Sequence, residues 1–127
     1  MTIAIGLADP GRVRSDSGIS DWVPCFARQG VQDGKIIATW GLCWAFSRCW
    51  LFFEIEQGVG GVARLVVNEA RKCLRQASQL GESEVWVQRD AAHKDSGRLL
   101  RLVGFEFVAL EDEIEVWKWQ ACKSCQQ

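Results

Sequence analysis

Residues 54–72 read EIEQGVGGVARLVVNEARK, and a change of pattern within them decides the fold. Up to Glu56 the chain is apolar and of strand length. Gln57-Gly58-Val59-Gly60-Gly61 then breaks it, and from Val62 onward the spacing is helical. Val62, Leu65, Val66, Ala70, Cys73, Leu74 and Ala77 share one side, while Arg64, Asn68, Arg71, Lys72, Arg75 and Gln79 fall on the other. The period predicts an amphipathic helix over Val62 to Leu80, closed by Gly81. Such a helix start offers unpaired N–H groups and a partial positive charge, and glycines let backbone approach an anion closely. The cluster therefore either holds a phosphate or simply turns the chain.

Working toward the N-terminus, Cys49 to Glu56 is a near-continuous apolar run, expected to be a strand buried on both faces. Ala45-Phe46-Ser47-Arg48 is read as a short turn, and Ile36 to Trp44 as another strand. Gln32-Asp33-Gly34-Lys35 carries a hairpin signature. Trp22 to Arg28 fits strand or helix; strand is favoured, with Pro24 at an edge. Asp9 to Ser20 reads as loop, and Ile3 to Leu7 as a short opening strand. Toward the C-terminus, Val85 to Gln88 is a strand, and Asp95 or Ser96 caps a second helix that runs through Val103 to Gly104. Phe105 to Leu110 and Ile114 to Trp119 form a final hairpin about Glu111-Asp112-Glu113, and 120–127 is expected to fray.

With 127 residues, 48% of them hydrophobic, the chain suits one domain spanning 1–127. Fifteen basic and sixteen acidic residues give an overall field that favours neither nucleic acid nor an anionic membrane surface. No segment approaches a membrane span or a secretory signal, so a cytoplasmic protein is expected, with its six cysteines reduced and Cys43, Cys49 and Cys73 buried. Cys122-Lys123-Ser124-Cys125 lacks a second ligand pair, so no metal site is expected. Trp40, Trp44 and Trp50 are read as core, and the basic row Arg64, Arg71, Lys72, Arg75 as a solvated helix face.

The stretch HKDSGRLLRLVGFEFV, residues 93–108, together with the closing EIEVWKW, resembles the end of the GNAT superfamily of N-acetyltransferases. The resemblance covers about the last hundred residues and implies an α+β fold: a mixed, twisted sheet with a central amphipathic helix and a second short helix. It implies acetyl-coenzyme A as cosubstrate and an amine as acceptor. Phe53 and Ile55 would then lie on the strand that pairs with the pantetheine arm, and Gln57, Gly58, Val59, Gly60, Gly61, Val62 and Ala63 would form the pyrophosphate loop. In the family's loop pattern Gln57 and Gly60 fit, while Val62 stands where a small residue belongs. His93 occupies a position where the family often has an Asn touching the cofactor arm; an isolated His in such a loop is otherwise a solvated residue.

Two departures bear on chemistry. The family commonly uses a late-helix Tyr to protonate the departing thiolate, but that place falls on Leu100, and the chain has no Tyr. Glu54 is the candidate general base on its strand; Glu54 and Glu56 are otherwise a solvated strand end. The contracted segment 1–21 is also too short for the helix pair that normally builds the acceptor side. Small GNAT-like proteins of this trimmed kind occur among bacteriophage proteins, including virion proteins. Two function classes follow: an acyl-coenzyme A-dependent N-acyltransferase, slow or degenerate, or a non-catalytic module contacting protein partners, as in a phage particle.

Overall fold

The computed structural model describes residues 3–17, 24–56, 60–90 and 96–121. They form β1 (Ala4–Leu7), α1 (Pro10–Ser17), β2 (Cys25–Gln32), β3 (Lys35–Ala45), β4 (Arg48–Ile55), α2 (Ala63–Gln79), β5 (Glu84–Asp90), α3 (Ser96–Val103), β6 (Glu106–Glu111) and β7 (Ile114–Gln120). The strands make one seven-stranded sheet in the order β1-β2-β3-β4-β5-β7-β6. All neighbours are antiparallel except β4 and β5, which are parallel, as the intervening helix requires.

Local chemistry explains most of these elements. Asp33 and Gly34 both take positive φ, closing the β2–β3 hairpin as their sequence advertises. Two further hairpins use the same backbone without that signature: Phe46 and Ser47 (φ 53 and 61) between β3 and β4, and Asp112 and Glu113 (φ 50 and 67) between β6 and β7. The strand pairing on either side holds them there. Both long-range helices end alike. After α2, Glu82 N–H donates to Ala77 O and Gly81 N–H to Ser78 O; after α3, Phe105 N–H donates to Leu100 O and Gly104 N–H to Arg101 O. This double closure is the glycine-terminated cap expected at both places.

α1 corrects the loop reading of Asp9 to Ser20. Asp9 Oδ1 accepts the Gly11 N–H at 3.2 Å, Pro10 opens the first turn, and Val13, 1% exposed, packs with Ala8 and Ala27. An Asp before a Pro at the first helical position is a start signal, but Val13 is the lone aliphatic anchor and leaves no periodicity to read. Only this single helix stands between β1 and β2 among the described residues. Pro24 precedes β2, where its carbonyl accepts the Trp44 N–H. Gln120, expected to fray, pairs with Glu84 instead.

The main core lies between α2, α3 and one sheet face, built on Trp40, Leu42, Cys49, Leu51, Ala70, Cys73, Leu74, Ala77, Val85, Phe105 and Trp117. Trp44 packs against it, but Trp50 does not belong to it. Trp50 sits half-buried on the opposite face, tilted against Trp86 with ring centroids 6.4 Å apart, and donates its indole N–H to Ala45 O. β4 is thus fully packed on one face only, not on both. On α2 the basic row is exposed as expected, whereas Glu69 is 1% exposed on the packed side, 3.6 Å from the Lys72 ammonium.

Cys25, Cys43, Cys49 and Cys73 are unbridged, and Cys43, Cys49 and Cys73 are buried. Burial pushes the Cys43 thiol up to about 11, and those of Cys49 and Cys73 up to about 12. These are inert packing groups.

Candidate functional site

The parallel seam between β4 and β5 places the site. Trp50 and Trp86 are their sole registered pair among the described residues, and beyond it the two strands diverge. Among the described residues no further registered pair joins β4 to β5 in the middle of the sheet. A cleft of about 620 Å³ opens there, walled by β4, β5, the start of α2 and one side of α3.

Strand alternation sorts the β4 side chains. Leu51, Phe53 and Ile55 line the cleft, and Phe53 stacks on Trp40 with centroids 5.2 Å apart. Glu54 is on the other face, exposed, opposite Thr39 in the β3–β4 register. There Arg12 of α1 donates to Gln29 Oε1 at 3.1 Å and to Thr39 Oγ1 at 3.4 Å. Glu54 therefore belongs to the side roofed by α1, with the strand between it and the cleft.

At the cleft's upper end stand Gly60, Gly61, Val62 and Ala63. Among the described residues no side chain caps α2, whose first turn also lacks an acidic residue. Its first intrahelical bond runs from Val66 N–H to Val62 O, so the preceding N–H groups have no helical partner. A side chain at Gly60 or Gly61 would meet nothing within 4 Å, and Gly61 sits at φ +70, where any other residue would be strained. Among the described residues, the start of α2 thus offers N–H donors with open space beside them. Val62 is half-buried in the cleft wall and leaves Gly60 and Gly61 uncovered. Gln57, Gly58, Val59 and His93 lie outside the described residues.

The opposite wall holds Leu99, Leu100, Val103 and Phe105. Leu100 thus lines the cleft, and it offers no proton. The residues that sequence reading missed are Arg89 and Ser96. Arg89 supplies the only charged side chain among the described lining residues. Its guanidinium is fixed on three sides: Nη1 lies 2.8 Å from Glu115 Oε1, Nε donates to Ser96 Oγ at 2.8 Å, and Gly97 abuts it so closely that a Cβ there would stand 3.3 Å from Cζ. The Trp117 indole N–H, donating to Glu115 Oε1 at 2.8 Å, and then Arg89 hold the Glu115 carboxyl below its ordinary range. The available signal was alternation, because Arg89 follows Val85 and Val87 on the core-facing side of β5.

Among the described residues no three His, Cys, Asp or Glu side chains come together as metal ligands, and no helix is long and apolar enough to cross a membrane.

No protein-family model and no curated protein matches the sequence. Solved structures do match. An IAA acetyltransferase from Bacillus cereus ATCC 14579 superposes with a TM-score of 0.70 at 11% identity, over 94% of this chain and 100% of that one. The ribosomal-protein-S18-alanine N-acetyltransferase from Escherichia coli gives 0.65 at 12% identity, over 96% and 97%. A GNAT family acetyltransferase from Elizabethkingia anophelis, solved with acetyl-CoA bound, gives 0.66 at 9% identity, over 94% and 98%. The chain has the GNAT fold.

Proposed function

We propose that the chain is an acyl-coenzyme A-dependent N-acyltransferase. The observation that carries this reading is the convergence, in one cleft, of an unpaired β4 edge, the open glycines Gly60 and Gly61, and the uncapped start of α2. The diphosphate of coenzyme A would lie at Gly60 to Ala63, with Gln57 to Val59 completing the loop. Its amide-bearing arm would run along Phe53 and Ile55, hydrogen-bonding to strand backbone left without a neighbour. His93 is proposed as a contact to that arm. Support for coenzyme A also comes from the Elizabethkingia anophelis structure, which holds acetyl-CoA on the same fold.

The acceptor would enter from the opposite face, where α1 roofs Gln29 and Thr39 and where Glu54, opposite Thr39, is proposed as base. A neutral amine attacks the thioester carbonyl, and Glu54, directly or through a water, takes the proton that the nitrogen must shed. Among the described residues α1 is the one helix on this side, which suits an exposed amine on a larger molecule.

A second reading rests on Leu100. With no donor at that position, the fold would serve as a non-catalytic module that makes protein contacts, in a virion for example. Calorimetry separates the two. Saturable binding of coenzyme A with a dissociation constant on the order of 10⁻⁴–10⁻³ M is expected, about −4 to −5.5 kcal/mol. Acetyl transfer to simple amines should be slow, since general acid assistance typically contributes about 10²–10⁴-fold. Absence of binding at millimolar coenzyme A would leave the glycines as a turn and favour the module.

A further inference from the structure

We infer that Arg89 receives the departing sulfur of the acyl donor as a thiolate, by charge and hydrogen bonding, and so makes up part of what a proton donor at position 100 would contribute. The inference rests on the acyl-coenzyme A reading and specifies how its chemistry finishes.

Position is the first ground. Trp50 and Trp86 are in register across the parallel seam, so three residues further on Phe53 and Arg89 stand at the same level on either side of the divergence, both lining the cleft. An arm that follows β4 away from Gly60 brings its thioester to this level. Arg89 is also linked to α3 one turn before Leu100, through Ser96. The guanidinium therefore stands beside the place that a proton donor on α3 would serve.

Electrostatics is the second ground. The Arg89 side chain is 11% exposed in a cleft whose other described walls are uncharged, so its field is poorly screened. Glu115 offsets part of that charge. Arg101, stacked 5.4 Å over the Trp117 ring, acts on Glu115 in turn, so these three described side chains carry one positive charge between them. Because Glu115, Ser96 and Gly97 fix the guanidinium before any substrate arrives, it stabilises developing negative charge without reorganising.

The amine nitrogen bonds to the thioester carbon and loses a proton to base or water. The C–S bond then breaks, its electron pair leaves on sulfur, and the resulting thiolate pairs with Arg89. The sulfur takes a proton from solvent on release, while Arg89 stays protonated throughout.

Free coenzyme A provides a test that does not depend on turnover, since its thiolate can be followed by ultraviolet absorbance as pH is raised. Bound to the unmutated protein, the thiol should titrate at least about one pH unit below its free value. Arg89→Gln should abolish that shift and lower kcat about 10²–10³-fold, with calorimetric affinity for coenzyme A nearly unchanged because the diphosphate is held elsewhere. Arg89→Lys should retain part of both. Glu115→Gln, which keeps an acceptor for Trp117, should lower the thiol pKa further; a merely structural pair would not respond in that way. If Arg89→Gln does not fold, the lysine and Glu115 variants still decide. Binding with an unshifted thiol overturns this inference alone, whereas no binding at all overturns the acyl-coenzyme A reading together with it.

Discussion

Replacing Gly60 with glutamate is expected to abolish coenzyme A binding while leaving the fold intact. A side chain at this position would project into open cleft space, within reach of the N–H groups that begin α2. The new carboxylate would occupy the anion's place and repel the diphosphate. A like charge at about 4 Å in a partly screened site opposes binding by up to ~4 kcal/mol, so affinity should fall by at least about 100-fold. The helix should not suffer, because a negative charge at an uncapped N-terminus is favourable by about 0.3–1 kcal/mol. Gly60→Ala, which meets no neighbour, should bind almost as the unmutated protein does. Calorimetry of both variants, alongside far-ultraviolet circular dichroism, makes the comparison. Undiminished binding by the glutamate variant would move the diphosphate away from this loop.

The second large effect lies in the sheet. Gly41, in the middle of β3, faces Ala27 across the β2–β3 ladder, and a Cβ added to it would overlap the Phe26 carbonyl oxygen and stand 2.8 Å from the Ala27 Cα. These obstacles are backbone, so they cannot rotate away. Gly41→Ala should therefore force two paired strands apart beside the packing of α1, costing about 3 kcal/mol or more and lowering the melting temperature on the order of 10 °C. An unchanged melting temperature would show that β2 and β3 are not so closely apposed. The same substitution at Gly60 should be nearly silent in this measurement.

How far the fold could be read from sequence depended on whether each element carried its own pattern. α2 did, because seventeen residues of helical period left its register in little doubt. Asp33-Gly34 did too. The turns at Phe46-Ser47 and Asp112-Glu113 did not, since their left-handed backbone is imposed by the strands they join. α1 escaped because a helix held by a single buried valine leaves no periodic trace. Glu69 shows the converse limit: its charge assigned no face, and packing placed it on the buried one.

For the candidate site, the placement of Phe53, Ile55, Gly60 and Gly61 along one cleft was legible, because alternation and a helix start are properties of neighbouring residues, while their roles belong to the proposal. Arg89, Ser96 and Glu115 come from β5, α3 and β7. What joins them is the pairing of Arg89 with Glu115 across an antiparallel ladder, which only the assembled sheet creates. Local pattern reading has no access to such a contact.

The divergence of β4 from β5 also bears on aggregation. A sheet ordinarily exposes its unsatisfied backbone along its two outermost strands, where foreign chains can add. Here those strands are poor templates: β1 has four residues, and β6 is irregular between Phe107 and Ala109. Among the described residues a second pair of edges lies inside the molecule, where β4 and β5 part beside a cleft walled by two helices, too confined for a stranger's sheet. Under the proposed function, strand addition would be confined to this inner gap, which one extended guest could use and a growing fibril could not.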